Sequence, residues 1–99
     1  MLTFEKVMEV FSNYLKEDDE CEVVVTRRGY TVMIWDTRAN DWCFINHCNT
    51  PEELKSELLG NYESYLSWTM TLERRKLKDS EQELINSKSK ELLKKFEAE

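Results

Sequence analysis

Glycine, proline and histidine are scarce in this chain of 99 residues, which contains two glycines, one proline and one histidine. So little glycine and proline excludes collagen-like and low-complexity sequences. A hydrophobic share of 40% also excludes an intrinsically disordered chain, because such chains lack the apolar surface that folding buries. The length fits a small domain with a modest core, since a domain of this size buries only about two thirds of its unfolded surface.

Positive charge is in deficit, because 14 lysines and arginines face 20 aspartates and glutamates and leave a net charge of -6. The excess of negative charge lies in residues 1–65, which hold thirteen acidic and six basic side chains. Nucleic acids and anionic membranes repel such a surface, so we expect neither direct nucleic-acid binding nor membrane binding. An apolar run of about 20 residues and a secretory leader pattern are both missing, which predicts a cytoplasmic protein.

The three cysteines, Cys21, Cys43 and Cys48, are an odd number that favours reduced thiols over a disulfide framework. With His47 they would supply a Cys₃His zinc set if folding brought them together, although this spacing is not that of a standard zinc knuckle. The sequence also lacks a nucleophile elbow and a glycine-rich phosphate loop. We therefore expect no metal, no cofactor and no enzymatic activity.

The hydrophobic pattern predicts the order α-β-β-β-α-α. Apolar residues recur every three or four positions from Thr3 to Leu15, which is typical of an amphipathic helix. The β-branched content of 22–27 predicts a strand, and two further strands are predicted over 30–35 and 42–46. Short turns at Arg28-Gly29 and at 37–41 would join them. Connections this short imply an antiparallel meander.

The clearest helix start is at Thr50-Pro51, where Thr50 can cap and Pro51 takes the first helical position. Glu53 can complete a capping box, and the apolar stripe that follows predicts a helix to about Arg75. A more weakly specified helix follows Asp79. It could pack on the preceding helix, project as an arm or pair with another subunit.

These elements predict one α+β domain over 1–99, with an α-β-β-β-α core in 1–76 and a C-terminal helix in 77–99. Large apolar residues point to both faces of the predicted sheet. A single helical layer would leave one face, bearing Trp35 or Trp42, uncovered. The last helix could cover that face, or a partner or a second copy of the chain could bind it, so a homodimer is possible.

An acidic surface beside exposed aromatic side chains suits a basic protein partner, including one whose basic groove normally holds nucleic acid. The element order also matches the double-stranded RNA-binding domain. However, Glu52 and Glu53 stand where that domain carries basic residues, which argues against RNA binding. The predicted partner-binding residues are Glu17, Asp18, Asp19, Glu20, Tyr30, Trp35, Trp42, Glu52 and Glu53.

Several stretches resemble small proteins encoded on bacterial phages, plasmids and conjugative elements. They are LTFEKVMEVF at 2–11, RGYTVMIWD at 28–36, DWC at 41–43 and TPEEL at 50–54. Small acidic proteins of such elements include the anti-CRISPR proteins, which commonly bind a Cas effector. The resemblance implies a non-enzymatic inhibitor or adaptor that acts as a nucleic-acid mimic on a basic surface of a Cas nuclease. The alternative is a homodimeric structural or regulatory module of a mobile element.

Overall fold

The computed structural model describes residues 1–72 and 74–97 and has the predicted α+β architecture. Its elements in chain order are α1 (Phe4–Val10), α2 (Ser12–Glu17), β1 (Cys21–Thr26), β2 (Gly29–Asp36), β3 (Asp41–Cys48), α3 (Pro51–Thr71) and α4 (Asp79–Lys94). The predicted element order is confirmed, apart from one difference. The first predicted helix is divided into α1 and α2. None of the helices in the described residues is both long and apolar enough to cross a membrane.

The division between α1 and α2 lies at Phe11, where the backbone has φ -90° and ψ 6°. Backbone hydrogen bonds still run across it, from the Phe11 N–H to the Val7 carbonyl and from the Leu15 N–H to the Phe11 carbonyl. Apolar residues therefore keep their helical spacing through the division, which is why periodicity predicts a single helix. At the start of α1, Thr3 Oγ1 accepts a hydrogen bond from the Lys6 N–H at 3.1 Å.

The three strands form an antiparallel meander in the order β1-β2-β3. Val32 at the centre of β2 pairs with Val23 on β1 and with Asn46 on β3, and its side chain is fully buried. The register between β2 and β3 shifts between Ile34 and Trp35, which places a bulge near the start of β3. The predicted meander is thus confirmed, with its register interrupted at one position.

The turn between β1 and β2 consists of Arg27 and Arg28, one residue earlier than predicted. Thr26 Oγ1 accepts a hydrogen bond from the Arg28 N–H and donates one to the Gly29 carbonyl. Gly29 opens β2 with φ +131°, and a Cβ there would lie 2.3 Å from the Cys48 carbonyl oxygen. Only glycine fits this position without displacing β3.

Residues Met1–Leu58 form one compact unit, in which α1, α2 and the start of α3 cover one face of the sheet. On this face Phe4 of α1 stacks on Tyr30 at 4.5 Å between ring centroids, and Asn46 Nδ2 donates to Glu57 of α3 at 2.7 Å. The buried apolar residues of the unit are Val7, Val10, Phe11, Tyr14, Cys21, Val32, Cys48, Leu54 and Leu58. This face is called the inner face below, and the opposite one the outer face.

Residues 59–99 form the second compact unit, described to residue 97, which holds the rest of α3 and α4. Helix α3 ends at Thr71 rather than near Arg75, because Leu72 adopts φ +53° and leaves the helical conformation. Ser89 on α4 donates a hydrogen bond to Glu63 on α3 at 2.9 Å. The last helix therefore contacts the preceding one. The organisation as one domain over 1–99 stays a prediction.

Arg75 lies in the connection between α3 and α4 and forms hydrogen bonds with both helices. Its guanidinium donates to both carboxylate oxygens of Glu81, at 2.6 and 2.7 Å, and also to the Met70 carbonyl. The Glu81 carboxylate accepts a further hydrogen bond from the Lys78 N–H, which caps α4. Hydrogen bonding from Arg75 is the largest cause, and that from the Lys78 N–H the second, of a pKa of Glu81 lowered to about 2.

Candidate protein-binding surface

The strand register gathers two separate parts of the predicted site at one end of the sheet. The Trp35 N–H donates to the Glu20 carbonyl at 2.8 Å, so the acidic run that precedes β1 lies beside the end of β2. Trp35 in turn pairs with Trp42 at the start of β3. Glu20, Trp35 and Trp42 are distant in sequence, and the meander makes them neighbours.

The two tryptophans form an edge-to-face pair, with ring centroids 5.0 Å apart and an interplanar angle of 80°. Both side chains are half-buried, and the bulge in the register falls immediately beside them. Aromatic pairs of this geometry contribute about 0.5–1.5 kcal/mol beyond their area of burial. Trp35 and Trp42 thus present a preorganised aromatic surface whose remaining exposed area is available for contact.

Acidic residues are concentrated in the segments next to this tryptophan pair. The set defined here as the acidic end comprises Glu17, Asp18, Asp19, Glu20, Glu22, Asp36 and Asp41, with Lys16 and Arg38 as nearby cations. Asp36 and Asp41 stand directly opposite each other on β2 and β3. Like charges in directly opposed positions destabilise a sheet by up to about 1 kcal/mol. The concentration of negative charge therefore opposes folding at this end and favours a cationic partner.

Three acids of this end have local structural roles. Asp18 accepts hydrogen bonds from the Tyr14 hydroxyl at 2.7 Å and from the Glu20 N–H at 3.2 Å. Asp36 accepts from the two turn N–H groups of Arg38 and Ala39. Asp41 accepts from the N–H of its neighbour at 2.8 Å. Their carboxylates shape the connections in addition to supplying charge.

The carboxylates of Glu17, Asp19 and Glu20 have no such role, because they make no hydrogen bond or ion pair with the described part of the chain. Glu17, Asp19 and Glu20 are all exposed. These three acids can therefore be exchanged for neutral residues without loss of a structural contact.

Burial beside Asp18 also affects Tyr14. The pKa of Tyr14 is raised well above its ordinary value. Burial of the phenol away from water is the largest cause, and the hydrogen bond to the Asp18 carboxylate is the second. The tyrosine therefore remains a neutral hydrogen-bond donor and fixes the position at which the acidic run begins.

The remaining predicted residues lie at the other end of the sheet. Tyr30 is five residues from Trp35 along β2, a distance of about 16 Å at the usual strand rise. It lies on the inner face, stacked on Phe4. Glu52 and Glu53 lie in the exposed first turn of α3, which follows β3. The nine predicted residues thus form two groups rather than one surface.

Glu53 has a structural role as well. Its carboxylate accepts a hydrogen bond from the Asn49 N–H at 3.3 Å, while its own N–H donates to Thr50 Oγ1 at 3.2 Å. The predicted reciprocal capping is present, although Glu53 reaches one residue further back than Thr50. This glutamate therefore stabilises the start of α3.

A groove of about 430 Å³ lies between β3 and the start of α3. Its lining residues are Asn46, His47, Cys48, Glu52, Glu53, Ser56 and Glu57. Burial, and then the charges of Glu57 and Glu53, raise the pKa of the Cys48 thiol. Because the thiolate is the reactive form of cysteine, this environment makes Cys48 a poor nucleophile.

The three cysteines are free thiols. Cys21 on β1 pairs with Ile34 and Cys48 on β3 pairs with Tyr30, so the two are offset by about 13 Å along the strand direction. The ring of His47 is already engaged at both nitrogens. Nε2 donates to the Arg28 carbonyl at 3.0 Å, and Nδ1 is hydrogen-bonded to the Thr31 hydroxyl at 2.9 Å. No group of three or more His, Cys, Asp or Glu side chains within 1–72 and 74–97 could hold a metal ion.

The outer face of the sheet carries exposed apolar side chains. Val24 is 41% exposed and Ile45 is 63% exposed, with the half-buried Met33 between them. The predicted partner-binding residues do not include Asp36 and Asp41. Asp36 directly precedes the predicted turn at 37–41 and Asp41 is the last residue of that turn, and this spacing is the signal that places them opposite each other.

Comparison of the chain with protein families, with curated proteins and with solved structures gives no match.

Proposed function

We propose that this protein is a non-enzymatic inhibitor or adaptor whose acidic end and tryptophan pair occupy a basic, nucleic-acid-binding surface of another protein. A Cas nuclease is the first candidate partner, which corresponds to an anti-CRISPR activity. The observation that supports this proposal best is the strand register. It joins the acidic run before β1 to Trp35 and Trp42, and it adds the opposed Asp36 and Asp41.

Charge and aromatic surface have different roles in such a complex. Clustered carboxylates accelerate encounter with a cationic groove and fix the orientation of binding. Tryptophan side chains at the centre of an interface often supply much of the binding energy, because they bury a large area with little loss of conformational freedom. The protein would then act by occupancy, holding the groove that the nucleic acid needs.

The test is a binding and cleavage assay with a panel of Cas effectors. The expected result is binding that weakens as salt is added, together with reduced DNA cleavage when the protein is in excess. Addition of guide or target nucleic acid should compete with the protein for the effector. Unchanged cleavage at excess protein throughout the panel would contradict the proposal for those effectors.

Charge-matched variants show which surface is responsible. Glu17→Gln, Asp19→Asn and Glu20→Gln together remove three exposed charges and leave Asp18 in its hydrogen bonds. At about 0.5 kcal/mol for each interfacial charge, this triple variant should bind about tenfold more weakly. The control removes three exposed acids in or after α4, through Glu83→Gln, Glu91→Gln and Glu97→Gln. Equal weakening by both triple variants would mean that only net charge matters.

A second pair of variants tests the aromatic contribution. Trp42→Ala should weaken binding by at least tenfold, whereas Trp68→Ala, which changes a 47% exposed tryptophan on α3, should have little effect. Circular dichroism and the melting temperature of each variant would confirm that the fold is retained. Full binding by a folded Trp42→Ala variant would exclude the tryptophan pair from the interface.

A further inference from the structure

Strand β1 forms one edge of the sheet and lacks most of the features that usually prevent edge pairing, with Glu22 as its one charged side chain. It is regular over six residues, contains three consecutive valines, and has neither lysine nor proline. Val24 and Val25 are 41% and 66% exposed. Natural edge strands of this kind are normally blocked by charge, proline or a bulge, because their free N–H and C=O groups can pair with another strand. The other edge strand, β3, carries such a bulge near its start.

The direction of the free backbone groups follows from the observed hydrogen bonds. The Glu20 carbonyl accepts from Trp35 of β2, and Thr26 closes the hairpin opposite Gly29. Backbone groups alternate in direction along a strand, so residues with even numbers face β2 in this strand. Val23 and Val25 therefore direct their N–H and C=O groups away from the sheet, toward the open edge.

We propose that this edge pairs with β1 of a second copy of the chain, in antiparallel orientation, to give a continuous six-stranded sheet. The symmetry of such a dimer places its two-fold axis perpendicular to the sheet and keeps both inner faces on the same side. Of the registers that satisfy this geometry with outward-facing backbone groups, two pair the most residues of β1. They are centred on Val23 opposite Val23 and on Val24 opposite Val24.

Charge complementarity supports a second copy as the occupant. In the register centred on Val24, Arg28 lies opposite Glu20 of the partner subunit. In the register centred on Val23, Arg27 lies opposite Asp19 of the partner subunit. Each contact occurs twice by symmetry. The exposed Arg27-Arg28 turn and the acidic run stand at opposite ends of the same strand, so antiparallel pairing brings opposite charges together.

Backbone pairing is tested by sedimentation velocity of the full chain over a range of concentrations, with no other protein present. Val25→Pro removes an outward N–H without removing a hydrogen bond to β2. It should weaken the dimer by at least tenfold. Val25→Thr keeps both the N–H and the β-branched shape, and should dimerise like the wild type. Circular dichroism would verify that both variants are folded.

Electrostatic pairing is tested by a charge swap. One variant carries Arg27→Glu with Arg28→Glu, and the other carries Asp19→Lys with Glu20→Lys. Each alone should remain monomeric, because like charges then meet at both ends of the interface. An equimolar mixture should restore dimers, because each turn again faces an acidic or basic run of opposite sign.

A wild-type chain that stays monomeric up to roughly 500 μM would overturn the inference. So would a dimer that Val25→Pro leaves intact, since another surface would then be responsible. The dimer and the proposed binding of a basic protein can fail separately. The sedimentation experiment contains no partner, and the Trp42→Ala variant does not change the β1 edge.

Discussion

Replacement of Gly29 by alanine is expected to destabilise the first unit strongly. The new Cβ would lie 2.3 Å from the Cys48 carbonyl oxygen, whereas real Cβ contacts are essentially never under 3.0 Å. The strands must therefore separate by several tenths of an ångström. The residue would also hold φ +131°, a conformation that L residues rarely adopt.

The expected cost has two parts. A side chain at such a φ costs about 1–3 kcal/mol, and a weakened ladder hydrogen bond adds about 1 kcal/mol. A total of roughly 2–4 kcal/mol corresponds to a melting temperature lowered by about 10–25 °C for a domain of this size. The assay is urea denaturation followed by circular dichroism, supported by a thermal scan.

Gly60→Ala is the matched control. Gly60 lies within α3, and a Cβ there would have no atom within 4 Å. Alanine should stabilise the helix by about 0.5–1 kcal/mol, because glycine loses more conformational entropy on folding. A Gly29→Ala variant that lost less than about 1 kcal/mol would refute the argument from close approach to Cys48.

Three further predictions concern single contacts. The pKa of Glu81 is lowered to about 2 from an ordinary value of 4.5, so its pairing with Arg75 contributes stability above pH 4.5 that is lost as the pH falls toward 2. In melting curves measured against pH, Glu81→Gln should lack this acid-dependent loss. Tyr14→Phe removes the hydrogen bond to Asp18 and should cost about 1–2 kcal/mol in urea denaturation. Because the pKa of Tyr14 is raised in the folded chain, the wild type should also lose stability above pH 10, and the variant should lose less. Leu58→Ala removes a fully buried side chain of the inner-face core and should cost about 2–5 kcal/mol by the same assay.

The proposed dimer and the proposed binding of a basic protein use overlapping acids. Asp19 and Glu20 would face the Arg27-Arg28 turn in the dimer and a cationic groove in the complex. A basic partner should therefore dissociate the dimer as it binds. Sedimentation of labelled protein with increasing partner would show this directly, and a ternary species that retained the dimer would contradict it.

Much of the fold can be predicted from local patterns in the sequence. The predicted strands match β1, β2 and β3 to within two residues at each end. The start of α3 at Pro51 follows from its capping residues, because capping depends on neighbours in the chain. The helix ends at Thr71, before the predicted end near Arg75. The positive φ of Leu72 terminates the helix, and no glycine or proline marks that position.

For the candidate surface, local sequence patterns predict less than they do for the fold. Composition alone identifies an acidic protein, and the run Glu17–Glu20 is visible in the printed sequence. Local patterns do not set strand register, which depends on how turns close and how side chains pack on the inner face. Register joined this run to Trp35 and Trp42, turned Tyr30 onto Phe4, and separated Glu52 and Glu53 from both. The sequence by itself determined the elements and the sign of the charge. Only the tertiary structure decided which charges and aromatic rings share a surface, because contacts between distant residues depend on the pairing of strands.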